Sequence, residues 1–194
     1  MKKEGLLTMI RFATIADCEA FGPLVLVILK DMELPFLQEI EEEQVLQLLT
    51  EASKHPDYRY GYQRALVKEI DGEVAGVAFG YPSEDEKVID RPFAEVLQQF
   101  NLPAQKIFTD PETFPDEWYL DTLSVAEAYR GKGIGSELLD ALPQMARRDG
   151  KQRIGLCCDF ANPKAQRLYE RKGFKIVGEQ MIGRHHYHHM QKML

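Results

Sequence analysis

The chain reads as a mixed α/β protein whose helices cover both faces of one sheet, and three observations point there. The first is a β-rich pair of runs, "RALVKEI" and "EVAGVAFGY", flanking Asp71-Gly72, a dipeptide that favours a tight hairpin. The second is an alternation of apolar strand-like runs with amphipathic helical ones from Glu117 onward. The third is a set of glycines and prolines placed where helices and strands should stop or start.

In chain order, Thr8–Ala13 ("TMIRFA") reads as the first strand. Thr14 with Asp17 resembles a capping box opening a helix, along which Phe21, Leu24, Val25, Ile28, Leu29 and Met32 keep helical spacing. Pro23 lies early in that helix, where proline is best tolerated. Pro35 breaks the run, and a second helix is predicted from about Gln38 to Ala52, acidic at its start as the helix dipole favours. The hairpin follows. Pro82–Asp116 differs from its surroundings, with five prolines, many charges and weak periodicity, although "FAEVLQQF" within it has the form of a short helix. So long a connection reads as a substrate-side lid or an insertion. "EWYLDTLSV" is a strand. Strict alternation would put Glu117, Tyr119, Asp121, Leu123 and Val125 on one of its faces. A helix from about Ile134 to Asp149 ends at Gly150, "RIGLCCDF" is a strand, and "PKAQRLYERK" is a helix closed by Gly173. Two last strands surround Gly183. The 194 residues are expected to form a single domain, 1–194.

Composition narrows the function classes. The net charge of −7 and the lack of a Lys/Arg stripe argue against nucleic-acid binding, and favour, weakly, a cationic small molecule or basic peptide. No run approaches the roughly 18 apolar residues of a membrane span. The N-terminus lacks the apolar core of a leader. Of three cysteines, Cys157 and Cys158 are adjacent and read as core thiols of a reducing compartment, so a cytoplasmic location is expected.

Between the strand ending at Val125 and the helix at Ile134 lies "YRGKGIGS" (Tyr129–Ser136). Walker A chemistry needs Lys followed by Ser or Thr, and Lys132 is followed by Gly133. The dinucleotide fingerprint would use Gly131 and Gly133, but Ser136 stands at its third glycine. Arg130-Gly131-Lys132-Gly133-Ile134-Gly135 instead fits R/Q-x-x-G-x-G after a strand. Asn162-Pro163-Lys164-Ala165 and Leu168-Tyr169-Glu170-Arg171-Lys172-Gly173-Phe174 follow about thirty residues on. Together these resemble the GCN5-related N-acetyltransferase (GNAT) family, densely over Glu117–Phe174 and faintly before it.

The resemblance implies the GNAT fold: a mixed, mostly antiparallel twisted sheet with helices on both faces and a splayed central strand pair. It implies acetyl transfer from acetyl-CoA, as cosubstrate and without a metal, to a primary amine by direct attack in a ternary complex. Arg130, Gly131, Lys132, Gly133, Ile134, Gly135 and Ser136 would cradle the CoA pyrophosphate, for which a helix N-terminus with bare glycines is suited. Leu123 and Val125 would pair with the pantetheine arm as a strand does, and Asn162 would lie beside it. Tyr169 would protonate the leaving thiolate. Asp121, then Glu117, or a water, would serve as base. Cys157 or Cys158 as nucleophile would need a base in reach, and the sequence indicates no neighbouring histidine. "HHYHH" (His185–His189) has pairs at i, i+2 but no nominated third metal ligand, and reads as a strand lining the amine pocket. The partner expected is a small-molecule or peptide amine, and a homodimer through the C-terminal strands would suit the fold. A non-catalytic acyl-CoA sensor, or a nucleotide-binding module that mimics the glycine loop, are the alternatives.

Overall fold

In the computed structural model, which describes residues 7–194, the chain forms a seven-stranded sheet in the order β1-β2-β3-β4-β5-β7-β6. The N-terminal residues that bear on a leader sequence, 1–6, lie outside the described residues. The strands are β1 (Thr8–Phe12), β2 (Ala65–Ile70), β3 (Glu73–Pro82), β4 (Trp118–Val125), β5 (Arg153–Asp159), β6 (Lys175–Ile182) and β7 (His185–Met193). The helices are α1 (Cys18–Asp31), a short turn α2 (Phe36–Glu39), α3 (Glu42–Ser53), α4 (Arg91–Gln99), α5 (Ile134–Arg148) and α6 (Pro163–Arg171). The single helix expected from Gln38 is thus two, because Ile40 and Glu41 are extended. "FAEVLQQF" is helical, as α4.

Local chemistry explains most boundaries. Asp71 (φ 51°) and Gly72 (φ 86°) both take left-handed conformations, as a two-residue hairpin turn requires. The Asp17 carboxylate accepts from the Thr14 backbone N–H at 2.7 Å and is held by Arg11 at 2.8 Å.

Two apolar cores sandwich the sheet. Phe21, Leu29, Leu48, Val67, Phe79 and Val96 join α1, α3 and α4 to one face. Leu138, Leu142, Met145, Trp118, Leu120 and Ile154 join α5 to the other. All strand pairs are antiparallel except β4 and β5, which run parallel and pair only over Trp118–Leu120 against Ile154–Leu156. Beyond that point the two strands separate while β4 continues to Val125 and β5 to Asp159. The sheet therefore has a built-in opening at its centre.

A bulge lies at the same place. Phe79 pairs with Thr122 but Gly80 with Leu120, leaving Asp121 as the extra residue of β4. The bulge corrects the expected alternation. Tyr119 and Asp121 face the side of Tyr81, but Leu123 and Val125 cross to the α5 face with Trp118 and Leu120.

Candidate functional site

The glycine loop enters α5 as a cradle of backbone donors. Gly131 (φ 75°) and Gly133 (φ 85°) are left-handed, and a Cβ on either would meet nothing within 4 Å, so the loop is open in front. Among the described residues, the N–H groups of Gly131 through Ser136 have no protein acceptor. Consecutive unpaired donors at a helix N-terminus favour an anion. They border a depression of about 560 Å³ that Val125, Tyr129, Leu168, Arg171 and Lys172 complete. The two cations of the motif are both exposed and turned back on the loop. Arg130 Nε donates to Val125 O at 3.1 Å, and Lys132 Nζ donates to Ala128 O at 3.0 Å. Arg171, the last residue of α6, and Lys172, which caps it, join this rim without any sequence signal that would have assigned them to it.

The second half of the site is a cleft of about 480 Å³ where β4 and β5 part. Tyr169, from the last turn of α6, lines it with Leu123, Asn162 and Cys158. Burial raises the Tyr169 phenol, with Cys158 adding to the rise, so it persists as a proton donor. Asn162 caps α6, its Oδ1 accepting from Ala165 N at 3.1 Å. Cleft and depression are neighbours along both walls: Leu123 and Tyr169 belong to one, Val125 and Leu168 to the other.

The two candidate bases are placed differently. Glu117 is wholly buried and does not line the cleft. Its carboxylate accepts from Phe114 N at 2.7 Å, His189 Nε2 at 3.0 Å and Gln191 Nε2 at 2.7 Å. It closes a structural network, which corrects its candidacy as a base. Asp121 reaches the cleft, but its side chain is 4% exposed and Oδ2 takes Arg59 Nη1 at 2.5 Å. Thr122 donates to its other oxygen at 3.1 Å. Burial raises the Asp121 carboxyl while Arg59 opposes the rise.

Arg59, which sequence reasoning did not single out, is the hub of a buried charge cluster. Its guanidinium is 2% exposed and meets Asp90 at 3.0 Å, Asp121 at 2.5 Å and Glu112 at 3.5 Å. It also donates to Tyr81 Oη at 2.9 Å and lies 4.1 Å from the Phe108 ring centroid. Burial works against its charge, but Tyr81, Asp121, Glu112 and Asp90 raise its pKa well above the ordinary value. Glu112 lies in the weakly periodic "TDPETFPDE", where the flanking prolines suggest only a turn.

A histidine does stand beside Cys157, contrary to expectation. His189 Nδ1 is 3.5 Å from Cys157 Sγ, and its Nε2 faces Glu117. The chain Cys157–His189–Glu117 resembles a nucleophile, base and orienting acid, but its surroundings oppose thiolate formation. His189 is fully buried, its ring stacked 3.7 Å from Phe114. Burial pushes the Cys157 thiol up to about 12 and the Cys158 thiol to about 11. These are structural thiols.

Of the other histidines, His185 and Tyr187 line the cleft. His186 and His188 stack on Phe160 from the opposite face, at 4.1 and 3.8 Å. Among the described residues no three metal-ligating side chains converge. No helix of those residues is long and apolar enough to cross a membrane.

Comparison with known proteins agrees with this geometry. A crystal structure described as an acetyltransferase is 57% identical, covers 95% of this chain and 98% of its own, and superposes with a TM-score of 0.89. An N-acetyltransferase from Staphylococcus aureus Mu50 is 30% identical over 95% of this chain and 100% of its own, with a TM-score of 0.81. The Bacillus subtilis protein YycN, described as an uncharacterized N-acetyltransferase, is 36% identical over 36% of this chain and 44% of its own length. The chain thus matches less than half the length of such curated relatives. The model of the acetyltransferase (GNAT) family matches residues 28–174, most of the chain and all of the site elements from α1's last turn to α6. With its parallel pair splayed beside a glycine cradle, the chain belongs to the acetyltransferase (GNAT) family.

Proposed function

We propose that the protein transfers the acetyl group of acetyl-CoA to a primary amine, by direct attack within a ternary complex. The carrying observation is the row of unpaired N–H groups from Gly131 to Ser136 at the N-terminus of α5, two residues along β4 and one along α6 from the cleft that holds Tyr169. A pyrophosphate suits such a row, with the helix dipole contributing about 0.3–1 kcal/mol. Arg130 and Lys132 can swing from their loop carbonyls to the phosphates, and Arg171 stands on the same rim. The β4 edge beyond Leu120, free of β5, offers backbone groups of Leu123 and Val125 to the pantetheine amides. Arg130 must release Val125 O for that pairing to reach the loop.

Tyr169 supplies the proton to the departing thiolate; burial raises its phenol, which is protonated at neutral pH. An acyl-enzyme on Cys157 is disfavoured: with the thiol near 12, only about one in 10⁵ molecules carries the thiolate at pH 7. Asp31, Glu112, Asp121 and Asp159 line the cleft, which favours a cationic acceptor, a small amine or a peptide amine. The three free thiols support a reaction in a reducing compartment such as the cytoplasm.

Calorimetric titration with acetyl-CoA, beside ATP and NAD, tests the reading. Micromolar, acetyl-CoA-selective binding is expected. Gly133→Glu should abolish it while costing only about 1–2 kcal/mol of stability for the left-handed backbone, since the position faces open space. Unchanged binding by that variant would refute the cradle.

A further inference from the structure

Two cavities meet at Glu112. The cleft of Tyr169 adjoins a second cavity of about 790 Å³ between the end of α1, α2 and the Gln105–Asp110 segment, and Met32, Glu112 and Ile182 line both. Glu112 is the only one of the three with a titratable side chain.

Its partners set it apart from the carboxylates around it. Glu117 accepts three donors between 2.7 and 3.0 Å. Asp121 holds Arg59 at 2.5 Å, and Asp90 takes Arg59 through Nε and Nη2, both at 3.0 Å. Glu112 Oε2 receives one short bond, from Tyr119 Oη at 3.0 Å, and its Oε1 is 3.5 Å from Arg59. A carboxylate has about four acceptor positions, so Glu112 retains unused capacity at the cavity junction. Its backbone is fixed on both sides. The N–H donates to Glu86 Oε1 at 2.6 Å, and the carbonyl accepts from Gln180 Nε2 at 2.8 Å. The Glu112 carboxylate is thus 5% exposed, oriented by a phenol, clamped through its own backbone and only loosely paired with Arg59.

We propose that Glu112 is the general base of the transfer, taking the proton of an acceptor ammonium that enters through the larger cavity. This assignment rests on the acetyltransferase reading above. The first proton passes from nitrogen to Glu112, and the neutral amine attacks the thioester carbonyl. The C–N bond forms and the C–S bond breaks, with the electron pair leaving on sulfur, which Tyr169 protonates. The second nitrogen proton returns through water to Tyr169, and Glu112 releases its own to solvent.

The electrostatics agree with a base that works near neutral pH. Burial raises the Glu112 carboxyl to about 7; Arg59 opposes the rise, and Asp121 and Glu86 add to it. The charged and titratable groups around it are Arg59 and Tyr60 before β2, Tyr81 of β3, Glu86 and Asp90 before α4, Tyr119 and Asp121 of β4, Cys157 of β5, and Tyr187 of β7. One guanidinium faces three carboxylates, so the least paired of them is the one that exchanges a proton.

The test compares the parent with Glu112→Gln and Glu112→Asp, using acetyl-CoA with spermidine, kanamycin and an alanine-leading heptapeptide, and the fastest acceptor for pH profiles. Glu112→Gln should bind acetyl-CoA within about twofold of the parent and lose about 100-fold or more in kcat at pH 7. The limb of kcat/KM rising near pH 7 should vanish. The deficit should shrink to about tenfold or less by pH 9.5, where bulk solvent deprotonates the amine, and Glu112→Asp should recover part of the rate. A Glu112→Gln enzyme about as fast as the parent, or a deficit equal at every pH, overturns the base assignment alone. A parent that gives no heat with acetyl-CoA overturns the acetyltransferase reading and the assignment with it. A parent that binds acetyl-CoA but acetylates none of the amines overturns the cavity as an amine entrance.

Discussion

Replacing Arg59 with methionine should reveal the charge cluster as a pH-dependent liability. Methionine keeps an unbranched apolar stem and removes the guanidinium, together with its stacking 4.1 Å over the Phe108 ring. The Asp90, Asp121 and Glu112 side chains, 23%, 4% and 7% exposed, are then left together without a counter-ion. A unit pair at about 4 Å is worth roughly 4 kcal/mol at an effective dielectric of 20. The guanidinium's own desolvation offsets part of this, and breaking a buried pair from one side typically costs about 3–5 kcal/mol. The carboxylates can relieve that cost by protonation. The folded pKa values of Asp121 and Glu112 are raised above the unfolded ones by burial even with Arg59 present. Such groups favour the fold below their unfolded values near pH 4, and that contribution is lost as pH rises through the folded values. The loss in Arg59→Met should therefore be about 3–5 kcal/mol at pH 8 and shrink to about 1–2 kcal/mol at pH 5. Urea unfolding at the two pH values measures both. A deficit below about 1 kcal/mol at pH 8, or one that does not change with pH, would refute the argument. Adding Asp121→Asn to Arg59→Met should restore part of the stability at pH 8.

Two other changes address different links. Tyr169→Phe should lower kcat about 100-fold with the acetyl-CoA affinity unchanged, measured by thiol release and calorimetry; equal rates would remove the acid assignment, and a parent with no turnover would favour the sensor. Gly155→Ala should place its methyl on the Glu117 carboxylate. Displacing that group from three hydrogen bonds should cost at least about 3 kcal/mol, lowering the thermal midpoint by about 6–12 °C; a melt within about 2 °C of the parent would show that the network can shift.

The elements that were legible in the sequence are those whose cause lies within a few residues. Asp71-Gly72 makes its turn through its own φ angles, Gly150 and Gly173 end helices in left-handed conformations, and Pro163 starts one behind Asn162. The glycine cradle belongs to the same class, since bare backbone at a strand-to-helix junction is a local property. The Asp121 bulge was not legible. Period-two alternation was extended through a strand in which the register with β3 slips at Gly80, and every later side chain changed face. Glu112 was hidden because its neighbours are remote: Tyr119 is near in sequence, but Arg59, Gln180 and Cys157 come from three other parts of the chain.

By itself, then, the sequence determined most of the order of strands and helices, the open glycine turn at Gly131–Ser136 and the place of Tyr169 on α6, because turns, caps and amphipathic periods are written in adjacent residues. Only the tertiary structure decided which carboxylates are fully paired and which is the least paired. Arg59 lies 62 residues from Asp121 and 31 from Asp90, and how one buried guanidinium is shared among carboxylates depends on distances that exist only once the sheet has closed over it.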